Sequence, residues 1–198
     1  QTFEYTCTPD ITEELIIRAD GLYNPLLEEP VANDVELSAP GLVLTGANMA
    51  NRDLIYMGVS GDGDSASIGL GQFAHVMRRG VNMTYIVMNN GVYGLTKGQF
   101  SATADKGSVA KKGAVNNDSG IDLASLAIIM GASFVARSFS GDKTQLVPLI
   151  KAAVSHPGAA ILDVVSPCVA FNNHAGSTKS YDFVREHNET VNRLDVIL

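Results

Sequence analysis

Four short apolar runs alternate with three longer segments whose apolar residues recur at helical spacing. This alternation constrains the fold more than any other feature, because it assigns an element type to most of the chain. The predicted strands cover residues 54–60, 83–89, 133–138 and 159–165. The predicted helices cover residues 65–79, 121–131 and 142–156. Strands that are apolar on both sides and alternate with helices are typical of parallel sheets. The sequence therefore predicts an α/β fold with a mainly parallel sheet covered by helices on both faces.

The remaining stretches are less regular. Residues 11–19, "ITEELIIRA", predict a short amphipathic helix, whereas residues 23–41 carry three prolines and several acids, which favours a loop. Residues 45–53 are interpreted as the end of a helix that leads into the first strand. A stretch rich in Ser, Lys, Gly and Asn, about residues 96–119, predicts a long polar loop.

Length and composition fit one globular domain. Apolar residues make up 45% of the 198 residues and charged residues 18%, which is ordinary for a folded protein. We expect a single domain over residues 1–198, formed by an irregular N-terminal segment, 1–53, and an α/β core, 54–198.

Charge and cysteine content narrow the classes of partner. The net charge of -7 argues against a nucleic-acid partner. Glycine and serine interrupt the longest apolar runs, which argues against a membrane span. Gln1 opens a polar stretch without the basic start of a secretory leader, so we expect a cytoplasmic protein. In that reducing environment, Cys7 and Cys168 are expected to be inert, catalytic or metal-binding rather than paired.

Two polar motifs follow two of the predicted strands. Gly-Asp-Gly-Asp, residues 61–64, follows the first strand, and Asn-Asn-Gly, residues 89–91, ends the second. Ligands of open α/β sheets bind outside the carboxyl ends of the strands. Asp62 and Asn90 would offer oxygen ligands that suit Mg²⁺ carrying a phosphate. The flanking glycines allow close backbone approach to the anion, and the helix near Ser65 directs its amino end towards it.

The Gly-Asp-Gly-Asp turn alone indicates little, since such turns often merely link a strand to a helix. The pair of motifs is more specific, because 25 residues, 64–88, separate Gly63 from Asn89. This spacing is similar to the signature of the diphosphate-binding half of thiamine diphosphate enzymes. "GLGQFA", residues 69–74, imitates a dinucleotide fingerprint, but it lies within a predicted helix, where packing against the sheet is favoured. A calcium loop is excluded because its twelfth position is Phe73.

A longer resemblance extends these motifs. The runs "GVSGDGDSASIGLGQFAHVMRRGVNMTYIVMNNGVYGLTKGQFSATADKG", "FVARSFSGDKTQLVPLIKAA" and "SPCVAFNNHAGSTKSYDFVREHNE" closely resemble the β subunit of 2-oxoacid:ferredoxin oxidoreductases, the 2-oxoglutarate type above all. The resemblance covers about residues 42–195. It implies a thiamine diphosphate-binding fold. It also implies oxidative decarboxylation of a 2-oxoacid with coenzyme A and ferredoxin, or the reverse carboxylation.

The resemblance also implies roles for single residues. Mg²⁺ would be bound by the side chains of Asp62 and Asn90 and by the backbone carbonyl of Val92. Further residues near the diphosphate, cofactor or substrate would be Gly61, Gly63, Asp64, Gly94, Leu95, Thr96, Lys97 and Gln99. Of these, Lys97 and Thr96 are the catalytic candidates, although a solvated loop lysine is the alternative interpretation of Lys97. The glutamate that activates the cofactor belongs, in this family, to the α subunit, so this chain alone should be inactive.

The chain departs from the family at its iron–sulfur site. The family binds a four-iron–four-sulfur cluster through an early Cys-x-x-Cys, a third cysteine and a Ser-Pro-Cys. Here Cys168 stands in Ser-Pro-Cys, but the early motif reads Cys7-x-x-Asp10 and a third cysteine is missing. Three interpretations stay open: these residues are part of a longer natural sequence, the cluster has been lost, or Asp10 replaces one thiolate.

Two other functions remain as alternatives. A non-redox thiamine diphosphate-dependent 2-oxoacid decarboxylase or lyase would need no cluster. In a catalytically silent β-like scaffold subunit, the protein itself would lack a complete cluster site. Iron content separates the redox enzyme from the lyase, and cofactor binding separates both from a scaffold that has lost the cofactor.

Overall fold

The computed structural model describes residues 40–110 and 113–187, together with four short strands nearer the N-terminus. These strands are β1 (Thr6–Cys7), β2 (Glu14–Ile17), β3 (Leu22–Asn24) and β4 (Glu29–Ala32). The later strands are β5 (Ile55–Gly61), β6 (Met83–Asn89), β7 (Val92–Tyr93), β8 (Gln99–Phe100), β9 (Phe134–Phe139) and β10 (Ala159–Val165). The α-helices are α1 (Pro40–Ala50), α2 (Leu70–Arg79), α3 (Leu123–Ile129), α4 (Lys143–Ser155) and α5 (Tyr181–Glu186).

The main sheet has the strand order β1-β2-β5-β6-β10-β9. All neighbouring pairs from β2 to β9 are parallel, and only the edge strand β1 is antiparallel. The four strands predicted from apolar runs are β5, β6, β9 and β10. The prediction of a mainly parallel sheet is confirmed. Its parallel strands all end at one edge, which we call the carboxyl edge.

Helices cover both faces of this sheet, as predicted. On one face, Leu44 of α1, Phe73 of α2 and Leu123 of α3 pack with the alternate residues of β6 and β10 that include Tyr85 and Ile161. The opposite face carries α4, where Leu149 and Ala153 pack against residues that include Ile86 and Leu162. Each large apolar side chain buried in this way contributes about 1.5–3 kcal/mol, so the two layers account for the stability of the α/β core.

Aspartate caps explain where two helices begin. Asp122 accepts hydrogen bonds from the backbone N–H groups of Ala124 and Ser125 at the start of α3. Asp142 does the same for Thr144 and Gln145 at the start of α4. Capping of this kind satisfies N–H groups that have no partner within the helix. Both helices therefore begin where the sequence predicted, within a residue or two.

The predicted helix over residues 65–79 is not continuous. Asp64–Ile68 forms a π-helical turn in which the Gly69 N–H donates to the Asp64 carbonyl over 2.6 Å, and α2 begins only at Leu70. Gly69 separates the π-helical turn from α2. Glycine readily accommodates such a change of helical pitch. Wide turns of this kind occur frequently at functional sites.

Two predictions for the N-terminal region are wrong. Residues 11–19 were expected to form a helix, but Glu14–Ile17 is strand β2, paired in parallel with β5. A short apolar run beside an existing strand gains more from extending the sheet than from forming an isolated helical turn. Residues 23–41 were expected to be a loop, but β3 and β4 pair antiparallel there. Asp10 lies outside the described residues.

The expected loop over about 96–119 contains a short antiparallel pairing. Strand β8 pairs with β7, so Val92 faces Phe100 and Tyr93 faces Gln99. Within the part of the chain that is described, no helix is long and apolar enough to cross a membrane.

Candidate functional site

The ends of β5 and β6 bring the two sequence motifs together. These strands are parallel neighbours, and Gly61 lies opposite Met88 in their register. The next residue, Asp62, is buried and points its carboxylate into the turn that follows β6. Its Oδ1 accepts from the backbone N–H of Asn90 over 3.2 Å, and its Oδ2 from that of Gly91 over 3.0 Å. The predicted proximity of Asp62 and Asn90 is therefore found at the carboxyl edge.

Two hydroxyl groups complete the surroundings of Asp62. Ser101 and Thr103 both donate to Oδ2, Thr103 over 2.5 Å. Sequence reasoning missed both residues, because they lie in a stretch interpreted as a polar loop. Both residues reach Asp62 because residues 101–104 fold into a turn, in which the Ala104 N–H donates to the Ser101 carbonyl over 3.1 Å, and the sequence carries no signal for this turn.

The hydrogen bonds of Asp62 leave room for one further ligand. A carboxylate oxygen has two lone-pair positions. Oδ2 already accepts three hydrogen bonds, whereas Oδ1 accepts only the one from Asn90. An oxygen with one open position, held in place by its neighbour, is a suitable ligand for a hard cation such as Mg²⁺. The donor set therefore fits the predicted cation, and Asp62 is its charged member.

Asn90 lies in the turn beside Asp62, and Val92 begins β7 directly after this turn. The side-chain Oδ1 of Asn90 accepts from the Val92 N–H over 3.0 Å and retains a second lone pair. The backbone carbonyl of Asn90 accepts from Nδ2 of Asn172 over 2.7 Å. Gly91 has φ +78°, and a Cβ there would lie 2.8 Å from Nδ2 of Asn172. Glycine avoids both the left-handed strain and this close contact, and Asn172 is a third residue that sequence reasoning missed.

The second glycine of the Gly-Asp-Gly motif is fixed by sterics. Gly63 has φ -61°, which any residue can adopt, but a Cβ would lie 2.4 Å from the ring of Tyr93. The Tyr93 hydroxyl donates to the Gly63 carbonyl over 2.8 Å. Gly61 is buried at the end of β5, and Asp64 begins the π-helical turn. Tyr93 therefore holds the motif against β7, the strand that follows Asn90.

Gly94, Leu95, Thr96 and Lys97 form the tight turn between β7 and β8. The Gly98 N–H donates to the Tyr93 carbonyl over 2.9 Å. Leu95 is 88% exposed, and the side chains of Thr96, Lys97 and Gln99 are exposed as well. Lys97 has φ +73°, the only positive value for a residue other than glycine among those described. A left-handed lysine costs about 1–2 kcal/mol, and strain of this kind is concentrated at functional sites.

A chain of polar side chains runs from Asp62 towards the surface. Thr103 Oγ1 lies 3.0 Å from Oδ1 of Asn89, and Nδ2 of Asn89 donates to Oδ1 of Asp163 over 2.9 Å. Arg137 then donates to Oδ2 of Asp163 from Nη2 over 2.8 Å and to Asp122 over 2.5 Å. Asp163 has no exposed surface. We call Asp62, Thr103, Asn89, Asp163 and Arg137 the Asp163 network.

The outer end of this network is charged. Burial alone would raise the pKa of Asp122, but the charge of Arg137 and hydrogen bonds from Ser125 and Arg137 outweigh it, so the pKa lies below its usual range. Burial would likewise lower the pKa of Arg137, but Asp163 and Asp122 keep it raised. Arg137 is therefore a permanent cation between two carboxylates.

A cavity of about 670 Å³ lies beside the network. Its walls include Asn89, Thr103, Arg137 and Lys179. Lys179 Nζ donates to the Thr103 carbonyl over 2.7 Å and lies 3.3 Å from Asp105, so it anchors the loop that carries Thr103. The charges lining the cavity are thus mostly paired with one another.

The predicted iron–sulfur ligands are not assembled by the described residues. Cys168 is a free, half-buried thiol in the turn after β10, and its backbone carbonyl accepts from the Phe171 and Asn172 N–H groups. Cys7 lies in β1, and its side chain is outside what the structure describes. Among the described residues, no group of three or more His, Cys, Asp or Glu side chains could hold a metal ion.

Comparison with known proteins agrees with this geometry. Residues 41–164 match the model of the thiamine pyrophosphate enzyme C-terminal TPP-binding domain. The chain is 44% identical over 131 residues to the 2-oxoacid:ferredoxin oxidoreductase subunit beta of Saccharolobus solfataricus, covering 65% of this chain and 42% of that protein. It is 39% identical over 132 residues to the 2-oxoglutarate oxidoreductase subunit KorB of Mycobacterium tuberculosis, covering 66% and 35%. It spans less than half the length of these relatives.

A solved structure shares the fold. The 2-oxoglutarate:ferredoxin oxidoreductase from Magnetococcus marinus, with 2-oxoglutarate, coenzyme A and succinyl-CoA bound, superposes with a TM-score of 0.68 at 38% identity. The match covers 74% of this chain and 49% of that one. The resemblance to β subunits of 2-oxoacid:ferredoxin oxidoreductases is therefore confirmed. Because the family model spans more than half of its residues, the chain belongs to the thiamine pyrophosphate enzymes, through their C-terminal TPP-binding domain.

Proposed function

We propose that this chain is part of the β subunit of a thiamine diphosphate-dependent 2-oxoacid:ferredoxin oxidoreductase. The reaction would be the oxidative decarboxylation of 2-oxoglutarate or a related 2-oxoacid with coenzyme A, or the reverse carboxylation. The observation that carries the proposal is the buried Asp62 carboxylate, with one open lone-pair position on Oδ1, at the carboxyl edge of a TPP-binding domain. The names of the relatives support the redox chemistry.

In this proposal Mg²⁺ would be bound by Asp62 Oδ1, Asn90 Oδ1 and the Val92 carbonyl. The cation would in turn hold the diphosphate. Gly61, Gly63 and Asp64 line the diphosphate. When bound there, thiamine diphosphate would supply a nucleophilic carbon and an electron sink for the decarboxylation of the 2-oxoacid. The protein's part is to fix the cation, because a bidentate or misplaced carboxylate would shift the diphosphate and everything attached to it.

The turn between β7 and β8 is proposed to face the reacting groups. Gly94 and Leu95 would contact the cofactor, and Thr96 and Lys97 would contact the substrate. A 2-oxoacid is an anion, so the exposed ammonium of Lys97 would bind its carboxylate.

The proposed enzyme would need an α subunit and ferredoxin as protein partners. An α subunit would provide the pyrimidine-binding domain and the activating glutamate, and ferredoxin would accept the electrons. Residues 1–198 would act as one diphosphate-binding domain in that assembly. A four-iron–four-sulfur cluster does not fit these residues by themselves, since two cysteines cannot supply four thiolates. Cys168 and Cys7 are proposed as ligands only if further ligands come from elsewhere in the protein or its complex.

The two cysteines are also compatible with a second, non-redox function. A non-redox 2-oxoacid decarboxylase or lyase on the same domain needs no cluster, and a chain with two cysteines is compatible with it. Iron and acid-labile sulfide, measured in the anaerobically purified native complex, separate the two functions. About four of each per αβ unit is the expected result for a complete cluster. A value near zero in an active complex would reject the ferredoxin-linked reaction in favour of the lyase.

A further inference from the structure

Asp163 stands out as a charged residue in an otherwise apolar strand. Strand β10 reads Ala-Ala-Ile-Leu-Asp-Val-Val, and all seven residues are buried. Asp163 itself has no exposed surface. A buried ion pair is often no more stabilising than well-packed apolar residues of similar volume. The stability of the sheet therefore does not explain why a carboxylate lies at this position.

The register of the sheet directs Asp163 towards the cation site. Asp163 lies opposite Arg137 of β9, and Val165 lies opposite Asn89 of β6. Asp163 and Asn89 therefore share the face that α3 covers, two residues apart along the strand direction. This arrangement lets Asp163 contact Arg137 on one side and Asn89 on the other.

The contact with Asp163 sets the orientation of the Asn89 amide. Nδ2 of Asn89 donates to Asp163 Oδ1 over 2.9 Å, so its Oδ1 faces Thr103 Oγ1 at 3.0 Å. The opposite orientation would place two acceptors against each other. Arg137 fixes Asp163 in turn, with Nε at 3.0 Å and Nη2 at 2.8 Å from Oδ2.

Thr103 connects this amide to Asp62. Its hydroxyl has one proton but lies within hydrogen-bond distance of two acceptors, Asp62 Oδ2 at 2.5 Å and Asn89 Oδ1 at 3.0 Å. In the observed orientation, Asn89 Oδ1 therefore competes with Asp62 Oδ2 for this proton, whereas a flipped Asn89 amide would donate to Thr103 and leave the proton to Oδ2 alone. Weaker donation to Oδ2 leaves more negative charge on the Asp62 carboxylate, whose Oδ1 accepts only one hydrogen bond and is open to a cation.

We propose that Asp163, fixed by Arg137, is a positioning residue for the cation site: it orients Asn89 so that Asn89 competes for the Thr103 proton, which leaves more of the negative charge of Asp62 to the cation. The inference rests on the proposed function, since it assumes that Asp62 binds the divalent cation of thiamine diphosphate. It adds that the affinity for this cation depends on a carboxylate that contacts neither the cation nor the cofactor.

The test uses the native complex, freed of cofactor and reloaded with thiamine diphosphate and Mn²⁺, with free Mn²⁺ followed by EPR. Asp163→Asn keeps the shape of the side chain but removes the charge. It should weaken Mn²⁺ binding about tenfold or more, the range found when an outer partner of a metal ligand is lost. The matched control is Leu162→Ala, one residue earlier on the opposite face of β10, which should lower the unfolding temperature and leave the Mn²⁺ affinity within about twofold of wild type.

A double-mutant cycle separates positioning from a general loss of structure. If Asp163 acts through Asn89, Asp163→Asn should change Mn²⁺ affinity by no more than about threefold in an Asn89→Ala background. An equal loss in both backgrounds would overturn the inference, as would an Asp163→Asn variant with wild-type affinity. Should Asp163→Asn fail to fold, Arg137→Lys, which keeps the charge but loses the planar fork, replaces it. Arg137→Lys should weaken Mn²⁺ binding at least about threefold, and unchanged affinity there contradicts the inference.

The same experiment distinguishes the inference from the proposed function. A wild-type complex that binds no Mn²⁺ in the presence of thiamine diphosphate would refute the cation site and the inference together. A wild-type complex that binds Mn²⁺ normally, with an Asp163→Asn variant that binds equally well, would refute the positioning role alone.

Discussion

The two faces of strand β10 differ in what they require from their neighbours. Towards α4, Leu162 and Val164 pack against apolar side chains such as Leu149. Towards α3, Asp163 contacts Asn89 and Arg137, each at a defined distance. Apolar cores tolerate exchanges that preserve volume. A buried polar network depends on every partner, because one missing acceptor leaves a donor unsatisfied. The face towards α4 therefore mainly stabilises the sheet, whereas the face towards α3 combines apolar packing at Ala159 and Ile161 with the positioning of a site at Asp163.

The polar groups around Asp163 and Asp62 are completely paired. Within the described residues, no buried side-chain nitrogen or oxygen lacks a hydrogen-bond partner. The Asp62 carboxylate alone accepts from two backbone N–H groups and two hydroxyls. Because these groups are already ordered, cation binding loses little conformational entropy. A mobile site would lose affinity through that entropy.

The largest effect is expected from removing Asp62, the charged ligand of the proposed cation site. Asp62→Ala should weaken Mg²⁺-dependent thiamine diphosphate binding more than about 100-fold, since a direct ligand matters more than the outer partners whose loss costs 10–100-fold. Titration calorimetry on the cofactor-free complex measures this. Asp118→Ala, which changes an exposed aspartate of the polar loop, is the matched control and should bind as wild type does. Retained affinity in Asp62→Ala would contradict the proposed ligand set.

On the apolar face the expected effect is on stability instead. Leu162→Ala should reduce the free energy of unfolding by about 2–5 kcal/mol, because it leaves a cavity between β10 and α4. Chemical denaturation measures the loss. At temperatures where the variant is folded, its thiamine diphosphate affinity should equal that of wild type. A coupled loss of affinity would show that the two faces are not separable.

The free energy of unfolding is expected to depend on pH through Tyr85, which is hydrogen-bonded to Ser65. Burial raises the pKa of Tyr85 to about 12, while its hydrogen bond with Ser65 opposes the shift. In the unfolded chain the phenol has its ordinary value of about 10, so the stabilisation is complete below pH 10 and is lost as the pH rises towards 12. A shift of this size corresponds to about 3 kcal/mol. The Tyr85→Phe variant should lose less stability than wild type between pH 10 and 12, and parallel stability curves would exclude this role for Tyr85.

The smallest effect is expected at the strained turn. Lys97→Gly should leave stability unchanged or raise it by less than about 1 kcal/mol, because the relief of the left-handed backbone is partly offset by the greater freedom of glycine in the unfolded chain. If Lys97 binds the substrate carboxylate, the same variant should show a higher KM for the 2-oxoacid and unchanged affinity for thiamine diphosphate. Steady-state kinetics and calorimetry on one preparation check both, and an unchanged KM would remove Lys97 from the substrate site.

Much of the fold follows from local patterns in the sequence. Strands β5, β6 and β10 are nearly all apolar, and α3 and α4 begin at aspartate caps, so both signals lie within a few residues. Strand β2 was interpreted as a helix because a four-residue apolar run carries too little periodicity to choose between the two. The π-helical turn at Asp64–Ile68 was missed for a similar reason, since nothing in the sequence distinguishes it from a first α-turn.

The site was predictable only in part. Asp62 and Asn90 follow adjacent strands, so topology alone brings them together. Ser101 and Thr103 could not be assigned, because polar residues in loops are usually solvated and their contact with Asp62 depends on how the loop folds back. Asp163 and Arg137 required the register between β9 and β10, which a hydrophobic pattern does not define. The sequence therefore locates the ligands, whereas the structure is needed to find what orients them.

The most direct test of the cation and diphosphate site is calorimetric titration of the cofactor-free native complex with thiamine diphosphate and with thiamine, each with Mg²⁺ and with EDTA. If Asp62, Asn90 and Val92 hold a cation that carries the diphosphate, only thiamine diphosphate with Mg²⁺ should bind tightly. Removal of either the metal or the diphosphate should abolish the interaction. Equal binding of thiamine diphosphate in Mg²⁺ and in EDTA would contradict the central claim, because the carboxyl edge would then recognise the cofactor without a cation.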